Sequence, residues 1–190
     1  VGESGCGKST AMLSLLRLLP AAGRIVGGQA LLDGSDLFGL DESDMRAVRW
    51  HRISMIFQGA MNAFNPVRTV GAQIAEALVF HGLAQDRGEA QPRVDELLEM
   101  VGITGARGSQ YPHQYSGGMR QRAMIAMALA CSPQVVIADE PTTALDVMIQ
   151  AQILELLERL QRELGLAVIL VTHDLSVVAE VCHRVLVMYG

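Results

Sequence analysis

Residues Gly2-Glu-Ser-Gly-Cys-Gly-Lys8-Ser9 fill every defined position of the pattern G-x-x-x-x-G-K-[ST], and the run behind them has the Leu and Met spacing of a helix. That combination restricts the chain to folds in which a glycine loop feeds straight into a helix N-terminus. There, successive backbone N–H groups converge without partners and the helix adds partial positive charge. Such a concavity takes an anion, above all a phosphate. Lys8 is expected to reach the β- and γ-phosphates of a nucleoside triphosphate and Ser9 to ligate Mg²⁺, with Gly2, Ser4, Gly5, Cys6, Gly7 and Thr10 completing the cradle.

The rest of the chain reads as alternating apolar runs and helices. The first helix should extend through Ala11 to Leu19 and stop at Pro20. Two short β-like runs follow, Ala30 to Gly34 and Ile53 to Gln58, separated by an acidic helical piece from Asp41 to Val48. Between Pro66 and Ser109 the pattern turns helical, with helices expected at Gly71 to Phe80 and Arg93 to Met100. Beyond it stand Val135 to Ala138, a long helix over Val147 to Leu164, Ala167 to Thr172, a short helix near Leu175 to Glu180, and Val185 to Met188. Continuous apolar runs alternating with helices predict an α/β fold whose mainly parallel strands are buried on both faces.

Two of those strands end in chemistry. Val135-Val-Ile-Ala-Asp139-Glu140 stops abruptly on two carboxylates, and open parallel sheets bind ligands beyond the carboxyl ends of their strands. Asp139 is therefore a candidate Mg²⁺ ligand and Glu140 a general base for an attacking water. Thr172-His173 ends the next strand in the same way and should send His173 toward the γ-phosphate, while His51, His81, His113 and His183 carry no such context. A third feature, Ser116-Gly117-Gly118, precedes an apolar helical stretch. By itself it is either a second anion-binding helix N-terminus or an ordinary N-cap.

Composition removes several alternatives. A formal net charge of -5 argues against broad electrostatic capture of nucleic acid. The longest wholly apolar run, Ala123 to Cys131, is far shorter than the roughly 20 residues that span a bilayer. Cys6, Cys131 and Cys182 have neither metal-ligand spacing nor the even number of a disulfide framework, which fits a reducing, cytosolic compartment.

Taken together the motifs resemble those of the ATP-binding cassette (ABC) ATPases, over essentially the whole chain. In order they are similar to that family's P-loop (Gly2 to Ser9), Q-loop glutamine (Gln58), signature motif (Ser116 to Arg120), magnesium strand with catalytic glutamate (Asp139, Glu140), D-loop (Ala144 to Asp146) and switch histidine (His173). The resemblance implies a P-loop NTPase core (1–65 and 116–190) with an inserted α-helical subdomain (about 66–115), and ATP with Mg²⁺ as cofactors. It also implies sites shared between two chains, in which Ser116, Gly117 and Gly118 of one chain cover the nucleotide of the other. Asp146 would lie at that seam, and Gln58 would sense the γ-phosphate and Mg²⁺.

The wording Phe57-Gln-Gly-Ala-Met-Asn-Ala-Phe-Asn-Pro66 and Tyr111-Pro-His-Gln-Tyr-Ser-Gly-Gly-Met119 resembles the dipeptide and oligopeptide importer ATPases, a group that includes nickel importers. The implied partners are a second ATPase subunit, two transmembrane permease subunits and an extracytoplasmic binding protein, with no nucleic acid, at the cytoplasmic face of the membrane. Soluble ABC ATPases acting on nucleic acid or ribosomes form the alternative class. No residue here matches the aromatic that stacks on adenine in this family. The sequence is accordingly expected to be an internal fragment that folds poorly without neighbouring strands.

Overall fold

The computed structural model describes residues 1–59 and 63–189. Ala60, Met61 and Asn62, within the Phe57 to Pro66 run, lie outside the described residues, as does Gly190.

Three strands, β3 (Ile53–Ile56), β4 (Val135–Asp139) and β5 (Ala167–Val171), form a parallel sheet in the order β3-β4-β5. Its register pairs Ile53 with Val135 and Asp139 with Val171, so the carboxyl ends of all three lie along one edge. Central β4 is apolar because both faces are covered; Val136, Ile137 and Ala138 are buried. β5 departs from the expected two-sided burial. Ala167 and Ile169 are exposed while Val171 is buried.

The run Ala30 to Gly34 forms part of a separate antiparallel hairpin, β1 (Leu31–Leu32) with β2 (Ser35–Asp36), and α2 (Glu42–Val48) follows with Asp41 as its N-cap. Helix α1 (Lys8–Leu15) ends a turn earlier than its Leu spacing predicts. Arg17 enters the left-handed region at φ 53, which breaks the helix well before Pro20. Val185 to Met188 is not a sheet strand. Its hydrogen bonds run to Val1, whose N donates to Leu186 O (2.7 Å) and whose O accepts from Met188 N (2.8 Å), and Val185, Leu186 and Val187 stay exposed.

In the helical stretch, α3 (Val70–Phe80) is as expected, but α4 (Arg87–Met100) starts a turn and a half before the predicted Arg93. Asp86 caps it by accepting from Glu89 N, and Glu89 returns a carboxylate to Gln85 N, so the helix starts at a capped end ahead of Pro92, which lies inside it. Two 3₁₀ turns, Gly105–Ser109 and Pro112–Gln114, connect to α5 (Gly117–Ala128). The first turn approaches α3 so closely that a Cβ on Gly71 would sit 2.9 Å from Gly108 O.

Helix α6 (Val147–Leu164) begins on the Asp146 cap and ends at Gly165, φ 66. It buries Ile153, Leu156, Leu157 and Leu160, the stripe expected of one amphipathic face. That stripe joins Ile74, Val94, Leu97, Leu98 and Ile125 in one continuous core. A smaller core of Leu16, Leu37, Met45, Val48, Ile53 and Ile137 carries the hairpin and α2, and α7 (Leu175–Val181) closes the chain. No described helix is long and apolar enough to cross a membrane.

Candidate functional site

The three parallel strands deliver three polar side chains to one point. Gln58 lies two residues past β3, Glu140 directly follows β4, and His173 lies two residues past β5. Glu140 is the hub. Gln58 Nε2 donates to its Oε2 at 2.8 Å, Thr143 Oγ1 donates to the same oxygen at 2.9 Å, and His173 Nδ1 lies 3.2 Å from Oε1. Glu140 N continues the β4–β5 ladder by donating to Val171 O at 2.9 Å, which fixes the backbone from which the carboxylate projects.

That backbone is strained. Glu140 has φ 46, the left-handed region that a non-glycine residue occupies at a cost of order 1–3 kcal/mol. The surroundings hold it there. Thr143 N donates to Glu140 O (3.2 Å), Ala144 is also left-handed (φ 64), and Gln150 Nε2 from α6 pins the loop through Thr142 O (3.2 Å) and Leu145 O (3.0 Å). Burial by itself would raise the Glu140 carboxyl. The hydrogen bonds from His173 and Thr143, with the charges of His173 and Lys8, outweigh it and hold the carboxyl below the usual carboxylate range.

Asp139, one residue earlier, is only 4% exposed, and its Oδ1 is enclosed without a hydrogen-bond partner. Buried carboxylate oxygens are rarely left so. A hard divalent cation that takes one protein carboxylate and completes its shell with a hydroxyl, phosphate oxygens and water fits this oxygen. Among the described residues no three His, Cys, Asp or Glu side chains converge for a metal, so an all-protein cage is not on offer.

The glycine loop has the geometry its sequence demands. Gly5 and Gly7 are left-handed, at φ 91 and φ 89, and Gly7 begins α1 with no side-chain cap, which leaves the first N–H groups of the helix unclaimed by any side chain. Lys8 is buried, and its ammonium donates to Gly2 O (2.7 Å) and Glu3 O (2.6 Å), so the loop's own carbonyls hold it. Ser9 is half-buried beside it and Thr10 is exposed.

Ser116 acts as the N-cap of α5, accepting from Met119 N at 3.3 Å. Among the described residues no hydrogen bond joins Ser116, Gly117 or Gly118 to the glycine loop. Gly118 has a reason within this chain, since a Cβ there would meet Ile149 Cγ2 at 2.8 Å. Asp146 likewise caps its own helix through Ile149 N (3.0 Å). Of the residues singled out from sequence, Gln58, Glu140 and His173 meet directly, while the Ser116 and Asp146 groups stand apart on helix ends.

Sequence reading did not single out Thr143 or Gln150. The signal for Thr143 was available as a hydroxyl three residues beyond an acid in a Pro-Thr-Thr turn. An apolar cleft of about 430 Å³ between β5, α6 and residues 181–188 includes Lys8 in its lining but none of Gln58, Asp139, Glu140 or His173, so it is not the chemical centre. The remaining histidines lie elsewhere: His51 and His81 meet edge to face, and His113 stacks on Tyr111.

Comparison with known proteins places this geometry in context. The ABC transporter family profile matches residues 1–143. A probable peptide ABC transporter ATP-binding protein of Sinorhizobium fredii is 58% identical over the whole chain, which covers 57% of that protein. The dipeptide transport ATP-binding protein DppD of Bacillus subtilis is 54% identical, with 100% of this chain and 57% of DppD covered. The oligopeptide transport ATP-binding protein AppD of the same organism is 50% identical, with 100% of this chain and 58% of AppD covered. The chain thus spans somewhat over half the length of these relatives. Among solved structures, a dimeric ATP-binding cassette in a post-hydrolysis state with ADP and Pi superposes with a TM-score of 0.82 at 32% identity, covering 98% of this chain and 78% of that one.

Proposed function

The chain belongs to the ABC transporter family, and on that premise we propose that the full-length protein binds MgATP on the Gly2 to Thr10 loop and hydrolyses it to energise peptide import. The observation that carries the reading is the meeting of Gln58 and His173 on the Glu140 carboxylate at three strand ends, with the charge of Lys8 from the glycine loop acting on the same carboxylate. Peptide rather than another solute is supported by relatives named for dipeptide and oligopeptide transport at 50–54% identity.

In this reading the backbone N–H groups of Gly5, Cys6, Gly7 and Lys8 and the hydroxyls of Ser4 and Thr10 take the phosphates. Lys8 exchanges the carbonyls of Gly2 and Glu3 for phosphate oxygens, an even trade of hydrogen bonds that strengthens because the new acceptors are charged. Asp139 Oδ1, Ser9 and Gln58 hold Mg²⁺, which supplies Lewis-acid neutralisation of the phosphate charge. Glu140 removes the proton of the attacking water and His173 turns from Glu140 to the transferring group.

Residues 1–65 and 116–190 serve as the core, and the helical subdomain of about 66–115 receives the permease. Ser116, Gly117 and Gly118 complete the site of a second ATPase subunit, with Asp146 at the seam. The dimeric cassette structure supports that arrangement. The assembly sits on the cytoplasmic face of the membrane with two permease subunits and an extracytoplasmic binding protein.

Reconstitution of the full-length protein with its permease subunits in proteoliposomes tests this. Hydrolysis stimulated by peptide-loaded binding protein and lost with Lys8→Ala is the expected result. ATP hydrolysis that peptide never stimulates would overturn the peptide assignment, and unchanged nucleotide affinity in Lys8→Ala would overturn the phosphate contact.

A further inference from the structure

The three partners of the Glu140 carboxylate are not equivalent. Gln58 and His173 stand on the ends of other strands, and in the function proposed above each has work to do on the bound nucleotide or its metal. Thr143 stands in the same turn as Glu140, tied to it by the Thr143 N to Glu140 O bond and by the Gln150 clamp on either side. Of the three partners it is the one whose backbone is tied to that of Glu140.

Two donors share one oxygen. Gln58 and Thr143 both bond Oε2, and His173 alone faces Oε1. When His173 turns away, Oε1 has no hydrogen-bond partner left among the described residues and presents free lone pairs, while Oε2 stays anchored. We propose that Thr143 is a positioning residue for hydrolysis: its hydroxyl holds Oε2 so that Oε1 is the oxygen that takes the water's proton. The inference rests on Glu140 being the general base.

In the step, the water oxygen forms a bond to the terminal phosphorus as the bond from that phosphorus to the bridging oxygen breaks. The water's proton passes to Oε1, and ADP and phosphate leave. Without the Thr143 hydroxyl the carboxylate is free to rotate about its last torsion, which is soft and nearly two-fold for Glu, and the productive orientation is diluted.

The experiment uses the full-length protein in its transporter assembly, with kcat and KM for ATP measured for wild type, Thr143→Val, Thr143→Ser and Glu140→Gln. Valine keeps the β-branch of threonine on this exposed turn but has no donor; serine keeps the donor. Loss of one hydrogen bond to a charged group predicts a kcat about ten- to a hundredfold lower for Thr143→Val with KM nearly unchanged. Thr143→Ser, which keeps the donor, should restore kcat.

Wild-type kcat in Thr143→Val, beside an inactive Glu140→Gln, would overturn the positioning role and leave Glu140 as base. Equal losses of kcat in the valine and serine variants would also overturn it, by marking a merely structural residue. Full turnover in Glu140→Gln would remove the base itself, and the proposal with it.

Discussion

Asp139→Ala should make the nucleotide-free protein more stable while destroying its response to MgATP. The wild-type carboxylate is 4% exposed, and Oδ1 has no hydrogen-bond partner. An unsatisfied buried polar group costs about 1–3 kcal/mol. Truncation removes that cost and leaves a carboxyl-sized gap of roughly 30 Å³, which at about 24 cal/mol per Å³ forfeits about 0.7 kcal/mol. The net gain is about 1 kcal/mol, or a Tm rise of about 2–4 °C for a chain of this size. Saturating MgATP tells the other half of the story. At about 100 times its Kd it should stabilise the wild type by about 2.7 kcal/mol, and the variant by far less. Thermal unfolding of both proteins, with and without MgATP, reads all four values. A lower Tm for the nucleotide-free variant, or an equal MgATP response, would refute the view that this oxygen is kept unsatisfied for a cation.

Gly71→Ala tests the close approach of α3 to the Gly105–Ser109 turn. The better helix propensity of alanine favours the variant by about 1 kcal/mol. The new Cβ would stand 2.9 Å from a backbone carbonyl that cannot swing aside, so overpacking of about 1–3 kcal/mol wins, and urea unfolding should show a net loss of up to about 2 kcal/mol. Cysteine reactivity separates the loop from the core. Burial pushes the Cys131 thiol up to about 11, so at pH 8 iodoacetamide should label half-buried Cys6 and spare Cys131 until the protein unfolds. MgATP should protect Cys6, and mass spectrometry that finds Cys131 labelled at a rate equal to Cys6 would contradict this.

The site was legible where sequence punctuates structure sharply. Apolar runs that stop on Asp139-Glu140 and Thr172-His173 gave away β4 and β5, because a buried parallel strand has no polar residues until it emerges, and Asp146 and Gly165 bound α6 on either side. Composition could not say what an apolar run pairs with. Val185 to Met188 looks as strand-like as β4, yet its hydrogen bonds go to Val1, and Val185, Leu186 and Val187 stay exposed. The break in α1 was also hidden, since Leu13 to Leu19 keeps a helical spacing through a left-handed Arg17 that tertiary packing dictates. Gln58 was found through family resemblance, and its place on Glu140 needed the sheet register. Thr143 stands three residues beyond Glu140 in sequence, but only the backbone of the turn brings its hydroxyl onto the carboxylate.

If Glu140 is the base of an ATP-hydrolysing site, Glu140→Gln should abolish the chemistry and leave the architecture in place. The amide oxygen can accept from Gln58 and Thr143 as Oε2 does, so the fold and the nucleotide pocket should survive the change. The amide cannot take the water's proton. In the full-length protein, single-turnover hydrolysis should fall by about 10²–10⁴ while ATP binds with near wild-type affinity. Hydrolysis at the wild-type rate with Glu140→Gln would contradict the account.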